Sequence, residues 1–332
     1  MRRIIFAIAV CVSGLPVSQV FASEVIVYSA RKEHLIKPLF DRYRQETGTS
    51  VKYITDKAGP LLQRLKAEGK RSPADILMTV DAGNLWHAAQ SGVLAKVESG
   101  ILDKSVPAHL KDPENYWFGL SVRARTIVYN TDKVKPADLA TYEDLADAKW
   151  QGRLCLRTSK KVYNQSLFAM LIHHHGEAKA TEIVSGWVNN LALPPFSNDT
   201  KTMQAVASGQ CDVAIVNTYY FGRLQKENPD INLALFWPNQ QNTGVHINVS
   251  GAGVTAHAPH KAEATKLLEW LASAEAQGLF AELNMEYPVN PAVAASDTVK
   301  KWGEFKADDT NLSEAGRLQA QAVRLMDKVG YR

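Results

Sequence analysis

The stretch EVIVYSARKEHLIKPLFDRYRQETGTSVKYIT, residues 24–55, alternates a strand pattern, a helix pattern and a second strand pattern. Residues 25–28 and 51–54 are short apolar runs, which are typical of buried strands. Residues 34–46 carry apolar side chains at helical spacing, and Gly48 ends this helix. Buried strands that are joined by amphipathic helices predict a parallel sheet with helices on both faces.

The same alternation continues along the chain and returns in its middle. Helices are predicted at 61–68 and 84–90 and a strand at 75–79, followed by strands at 152–157 and 211–216 and helices at 165–174 and 203–208. No sequence repeat of fixed period accompanies the two series, so the chain is not a solenoid. We therefore predict an α/β protein of two lobes, each a mainly parallel sheet flanked by helices.

Two strand-rich segments are suited to join these lobes. Residues 119–130 lie between the two series, and residues 244–254 follow the second one. Two crossing strands make a hinge with a cleft, and ligands of open α/β sheets bind beyond the carboxyl ends of the strands. The first lobe is then expected at 23–122 plus about 249–298, and the second at 123–248.

Composition places the chain among globular proteins. Of its 332 residues, 45% are hydrophobic, 22% charged and 8% aromatic, which excludes collagen, a disordered chain and a polytopic membrane protein. The formal net charge is +4, and no cluster of Lys and Arg lies beside aromatic residues. Nucleic acid is therefore not an expected partner.

The first 22 residues have the pattern of a secretory signal peptide. Arg2 and Arg3 provide a basic start, residues 4–12 form an uncharged apolar run, and small residues precede a cleavage point after Ala22. The run is too short to cross a bilayer core of about 30 Å. Cleavage lowers the net charge to +2, and we expect a soluble protein that is exported to the periplasm.

Two cysteines remain after this cleavage, Cys155 and Cys211. An even number of cysteines in an oxidising compartment favours a disulfide. Each of the two also opens a strand-like run in the expected second lobe. We predict the bridge, with two free buried thiols as the alternative.

The sequence lacks the usual enzyme motifs. It contains no GxSxG, GxxxxGK[ST], GxGxxG, HExxH or CxxC pattern, so we expect a binding protein and not an enzyme. The run His173-His174-His175 before Gly176 resembles a metal site at first sight. Adjacent helical side chains point about 100° apart, however, so a solvated helix end is favoured over a divalent-metal site.

Three tyrosines follow predicted strands. Tyr219 and Tyr220 come directly after the strand at 211–216, and Tyr163 follows the strand at 152–157 and a short turn. Because these carboxyl ends face the cleft, three phenols are expected to meet there. Three phenolates balance a small, hard trivalent cation, and Fe(III) is the abundant ion of this kind. Structural aromatics, or stacking on a sugar or aromatic ligand, stay open as alternatives from spacing alone.

Several longer motifs point to a known family. They are Val27-Tyr28-Ser29-Ala30-Arg31, Ser72-Pro73-Ala74-Asp75, Thr79-Val80-Asp81-Ala82-Gly83-Asn84-Leu85-Trp86, Ser121-Val122-Arg123-Ala124-Arg125, Val162-Tyr163-Asn164-Gln165-Ser166-Leu167 and Asn217-Thr218-Tyr219-Tyr220. In these motifs the chain resembles the ferric-iron-binding periplasmic proteins of bacterial ABC importers, class II two-lobed binding proteins that include the ferric-binding and FutA-type proteins. The resemblance covers nearly all of the chain after residue 22, and it returns residues 299–332 to the second lobe.

The resemblance also implies which residues hold the iron. Tyr163, Tyr219 and Tyr220 are expected to be the ligands, all of them from the second lobe. Where FutA-like members carry His-Tyr after the Ser-x-Arg segment, this chain has Lys32-Glu33. We expect Glu33 either to supply an oxygen ligand or only to begin the following helix, where an acid is favourable.

Two arginines complete the expected site. Arg31 and Arg123 are expected to hold carbonate or another synergistic anion, because a guanidinium matches a planar oxyanion with two hydrogen bonds. Ion pairs with Asp56 or Asp81 between the lobes are the alternative use of these arginines.

The resemblance finally implies a function. We expect a monomer that captures Fe(III), or a ferric chelate, and delivers it to an inner-membrane ABC permease and its ATPase. The alternative is a two-lobed carrier of another small solute, such as an organic anion, a polyamine or a sugar.

Overall fold

The structure is a computed structural model that describes residues 23–332. The expected signal peptide, 1–22, lies outside the described residues. Among residues 23–332, no helix combines the length and the apolar character that crossing a membrane requires.

Strands and helices alternate along most of the described chain. The strands are β1 Glu24–Ser29, β2 Ser50–Thr55, β3 Ile76–Thr79, β4 Phe118–Asn130, β5 Leu154–Cys155, β6 Val213–Asn217, β7 Leu233–Phe236 and β8 Ile247–Val254. The helices are α1 Glu33–Thr47, α2 Ala58–Glu68, α3 Ala82–Gln90, α4 Gly100–Ser105, α5 Val162–Asn189, α6 Asp199–Ala207, α7 Thr218–Glu227, α8 Lys261–Leu271, α9 Ala274–Asn284, α10 Asp297–Lys300, α11 Ser313–Arg317 and α12 Gln319–Lys328.

The helix α1 shows how local sequence sets an element. Its buried side chains recur at helical spacing and cover one face, namely Ile36, Leu39, Phe40 and Tyr43. Gly48 ends the helix with a φ of 74°, a left-handed conformation that favours glycine, and its N–H donates to the carbonyl of Arg44 at 2.9 Å. The expected helix at 34–46 is therefore confirmed to within a residue at each end.

The strands form one twisted path in the order β2-β1-β3-β8-β4-β6-β5, with β7 paired to β4. The strand β1 runs parallel to β2 and β3, and β5 runs parallel to β6. The pairs β3–β8, β4–β8, β4–β6 and β4–β7 are antiparallel. The sheets are thus mixed where a mainly parallel arrangement was expected, because the two connecting strands pair with each other and with their neighbours in the antiparallel sense.

The strand β4 passes from one half of the path to the other. Its first part pairs with β8 up to Ala124, opposite Ile247, and its second part pairs with β6 from Arg125, opposite Asn217. The expected crossing strand at 119–130 is present. The second connection begins later than expected, at Ile247, because Val245 pairs instead with Ala307 of the C-terminal tail.

The buried hydrophobic side chains separate into two cores within β4. Ala124 belongs to the first core, which draws on residues 25–124 and 245–289, and Ile127 belongs to the second, which draws on residues 127–234 and 318–331. We call the parts around these cores the first and second lobes. Leu312 packs in the first core, so the tail touches both lobes. The assignment of each chain segment to one lobe stays a prediction.

The second lobe holds a disulfide between Cys155, at the end of β5, and Cys211, just before β6. The two Cα atoms lie 5.9 Å apart, and the bond closes a loop with a sequence separation of 56. The predicted bridge is confirmed. It joins the two strands that lead to the expected tyrosine turns.

Removal of this bridge should destabilise the second lobe. For a loop of this length, the lost restriction of the unfolded chain predicts that Cys155→Ala with Cys211→Ala lowers the free energy of unfolding by about 4 kcal/mol. Urea unfolding of both proteins measures the difference. Titration of the unreduced, exported wild-type protein should find no free thiol, and two free thiols would contradict the bridge.

Candidate metal centre

All three predicted tyrosines and both predicted arginines line one cavity of about 200 Å³. The cavity lies between the lobes. Its lining consists of Ala30, Arg31, Lys32, Leu35, Val80, Arg123, Lys161, Tyr163, Tyr219, Tyr220, Arg223, Ser250 and Glu286. The structure therefore brings together five of the six predicted site residues.

Parallel pairing of β5 with β6 explains why the tyrosines meet. The carboxyl ends of both strands lie at the same edge of the sheet. The helix α7 begins immediately after β6, so Tyr219 and Tyr220 fall in its first turn, with ring centres 4.4 Å apart. The helix α5 begins a few residues after β5, and Tyr163 is its second residue.

The phenols are largely removed from water. Tyr163 is 8% exposed and Tyr219 is 7% exposed, whereas Tyr220 is partly exposed. Burial raises the pKa of Tyr163 above its ordinary value, with a further rise from Tyr220, while Arg123 opposes the change. Burial also raises the pKa of Tyr219, and the neighbouring Tyr163 and Tyr220 add to it. Both phenols are therefore protonated until a bound cation drives their protons off.

Cationic side chains surround the tyrosine rings. The guanidinium carbons of Arg123 and Arg157 lie 5.3 and 5.4 Å from the centre of the Tyr163 ring, and the Lys161 ammonium lies 4.9 Å from it. The guanidinium of Arg223 lies 5.1 Å from the centre of the Tyr219 ring. These positive charges favour anionic groups in the cavity.

The lining contains one carboxylate, Glu286. Its Oε2 lies 3.0 Å from Nη2 of Arg31 in a buried ion pair, and it accepts a hydrogen bond from the Ser121 hydroxyl at 2.7 Å. The alternative for Arg31 named Asp56 or Asp81 as its partner, but the structure pairs it with Glu286. Nε of Arg31 is buried and has no hydrogen-bond partner among the described residues.

The second arginine is held across the mouth of the first lobe. Nη2 of Arg123 donates to the carbonyl of Val80 and lies 3.4 Å from a carboxylate oxygen of Asp81. The expected alternative pairing with Asp81 is therefore present. Nη1 of Arg123 is buried and has no partner within residues 23–332, so a donor is left for an anion in the cavity.

Comparison with known proteins identifies the family. Residues 39–307 match the family model described as bacterial extracellular solute-binding protein. The chain belongs to this family. It is 44% identical over 315 residues to iron uptake protein A1 of Synechocystis sp., an alignment that covers 93% of this chain and 88% of the relative.

Solved structures agree in fold and in sequence with this solute-binding protein. The Trichodesmium protein IdiA, also named FutA, in complex with iron and citrate ligands, is 45% identical with a TM-score of 0.90, and the match covers 93% of this chain and all of that one. The ferric iron-binding protein A of Mannheimia haemolytica, in an open conformation, is 38% identical with a TM-score of 0.88, and the match covers 93% and 99% of the two chains. The predicted two-lobed binding-protein fold is confirmed.

The three consecutive histidines of this solute-binding protein lie outside the cavity lining. Each ring nitrogen pairs with a different carboxylate: His173 with Glu314 at 3.0 Å, His174 with Asp308 at 2.7 Å and His175 with Glu143 at 2.6 Å. Within residues 23–332, no group of three or more His, Cys, Asp or Glu side chains is arranged to hold a metal ion. The helix does not end there, since α5 resumes after a non-helical Gly176.

Four lining or neighbouring residues escaped the sequence analysis: Arg157, Lys161, Arg223 and Glu286. The doublet Lys160-Lys161 was noticeable as a basic tract, but nothing in its spacing placed it beside Tyr163. Glu286 follows Met285, which has a φ of 54°, in a segment without a recognisable motif. Only the packing of α9 and its following loop on β4 brings this carboxylate to Arg31.

Glu33 is the predicted site residue that the structure places elsewhere. It begins α1, it is exposed, and its Oε1 accepts a hydrogen bond from the Tyr53 hydroxyl at 2.9 Å. This position matches the alternative use of Glu33 as the first residue of a helix. Its use as a metal ligand stays a prediction.

The two uses of Glu33 can be separated by one substitution. From its position on Tyr53, we expect Glu33→Gln to hold Fe(III) as the wild-type protein does. Competition with citrate, followed by elemental analysis of the protein, measures retention. A loss of about tenfold or more would instead show that Glu33 reaches the ion.

Proposed function

We propose that this protein is the periplasmic binding component of an iron importer and that it captures Fe(III) with Tyr163, Tyr219 and Tyr220. The observation that carries the proposal is the meeting of three phenols in one cavity between the lobes. Fe(III) is a hard ion that prefers anionic oxygen, and three phenolates cancel its charge. Its role is coordination and transport, without turnover.

The surrounding charges support an anion beside the ion. Three phenolates and Fe(III) are together neutral, so they leave the charges of Lys161, Arg157 and Arg223 uncompensated. The free donors of Arg31 and Arg123 are suited to a carbonate or carboxylate group in the remaining coordination positions. We propose that iron is bound together with such an anion, or as a chelate with it.

The names of similar proteins support the same cargo. The Synechocystis relative is named an iron uptake protein, and the Trichodesmium structure holds iron and citrate. The identity of 44% and 45% over nearly all of the chain is consistent with a shared ligand. We extend iron binding to this protein on that basis and on the tyrosine cavity.

We propose a delivery route from the expected signal peptide and the family. Residues 1–22 direct export, and the mature monomer carries its ion to an inner-membrane ABC permease and its ATPase. Movement of 23–122 plus about 249–298 against the remaining chain closes the cleft, because first-lobe groups contact the ion or its anion only in the closed state. Protons or reduction to Fe(II) promote release, since both weaken phenolate binding.

The tyrosine proposal predicts a coloured protein. Charge transfer from tyrosinate to Fe(III) absorbs visible light, so wild-type protein loaded from a ferric chelate should be orange to red. Tyr219→Phe and Tyr220→Phe should each shift the absorption band and lose iron to citrate at least about tenfold faster, since each removes one anionic ligand.

Tyr129→Phe is the matched control, because Tyr129 is a buried tyrosine of β4 outside the cavity lining. It should keep the colour and the iron. A colourless wild-type protein without iron by elemental analysis would refute iron binding. An organic anion would then be the favoured cargo, because the cavity is lined by more cations than acids.

The anion proposal predicts a specific defect for Arg123→Gln. Iron-loaded wild-type protein titrated with bicarbonate should shift its absorption band as the anion enters. Loss of a charged donor should raise the bicarbonate concentration needed for this shift by about tenfold. Arg324→Gln, an exposed arginine of α12, should behave as wild type. Equal bicarbonate dependence in all three proteins would exclude Arg123 as the anion partner.

A further inference from the structure

Arg125 is a buried arginine of β4 that does not line the cavity. It is 2% exposed, and its guanidinium donates to side chains of the second lobe on all sides. Nε and Nη2 donate to Oδ1 of Asn164 at 3.0 and 2.6 Å, and Nη1 donates to Oδ1 of Asn217 at 3.1 Å. Nη1 also lies 3.2 Å from a carboxylate oxygen of Asp199, which balances the charge.

These partners are neighbours of the predicted iron ligands. Asn164 directly follows Tyr163 at the start of α5, and Asn217 ends β6 two residues before Tyr219. One guanidinium therefore holds the two turns that carry all three tyrosines. Because its fork is planar and rigid, it fixes the separation of the turns more tightly than a single hydrogen bond could.

The same contact fixes the orientation of the Asn217 amide. A guanidinium only donates hydrogen bonds, so the amide must turn its oxygen toward Arg125. Its nitrogen then faces the other way, and Nδ2 donates to the hydroxyl oxygen of Tyr219 at 3.2 Å. The oxygen that would bind the metal thus accepts an N–H from the protein.

We propose that Arg125 is the positioning residue of the tyrosine cluster, and that it acts through Asn217 to keep an N–H donor on the metal-binding oxygen of Tyr219. This inference rests on the proposed binding of Fe(III) by the tyrosines. In the loaded protein, the hydrogen bond from Asn217 stabilises the phenolate form of Tyr219. It also lowers the energy of the phenolate electrons that take part in charge transfer.

Substitution of Asn217 separates the donor from the clamp. Asn217→Asp keeps an acceptor for Arg125 but has no N–H for Tyr219, whereas Asn217→Leu removes both bonds. We expect both variants to shift the iron–tyrosinate band to longer wavelength and to lose iron to citrate about tenfold faster than wild type. Only Asn217→Leu should lose the stability that comes from the bond to Arg125.

Asn130→Leu is the control for loss of a buried amide. Asn130, at the far end of β4, donates from Nδ2 to the carbonyl of Val206 at 2.9 Å and lies outside the cavity lining. It should lower the thermal midpoint without moving the absorption band. A purely structural role for Asn217 predicts the same result for Asn217→Leu and a wild-type spectrum for Asn217→Asp, and that outcome would overturn the proposal.

Arg125→Lys tests the clamp itself. It keeps the charge beside Asp199 but cannot hold Asn164 and Asn217 together, so we expect a folded protein with a broadened, shifted band and faster iron loss. Wild-type spectrum and retention in this variant would refute the positioning role. If it does not fold, the two Asn217 variants decide. A colourless wild-type protein in the same experiment would refute iron binding itself, whereas a coloured wild type with unchanged variants refutes only this inference.

Discussion

The parallel pairing of two short strands, β5 and β6, is the constraint on which the tyrosine cavity depends. Leu154 and Cys155 lie opposite Val213 and Ala214, and the disulfide to Cys211 adds a covalent link at the start of β6. Since both chains then turn into helices at the same edge, their first helical residues meet. A sheet of any other order would separate Tyr163 from Tyr219 and Tyr220.

Electrostatics then determines what this cavity can hold. Burial alone keeps the phenols protonated, as the raised pKa values of Tyr163 and Tyr219 indicate. The cations around them lower the cost of phenolate but do not remove it. A trivalent ion supplies the missing charge, and the arginines that remain are then free for an anion. The proposed pairing of ion and anion follows from this balance and not from any one residue.

Local sequence was sufficient for the elements that carry the site. The apolar spacing of α1, the buried strands and the turn before Tyr219 could all be predicted, because each depends on residues close in the chain. The disulfide followed from compartment and parity. Predictions were poorer where distant segments meet: β8 begins late because Val245 pairs with the C-terminal tail, and the sheets are mixed because β4 and β8 run side by side.

The sequence by itself determined the two α/β series, the candidate tyrosines and the two candidate arginines. These follow from periodicity, from residue chemistry and from motifs that resemble a known family. Only the tertiary structure decided the partners of these residues. It paired Arg31 with Glu286, left Glu33 on Tyr53 and placed Arg125 between Asn164 and Asn217. Such contacts join segments up to 255 residues apart, and no local pattern in a chain records which distant groups packing will bring together.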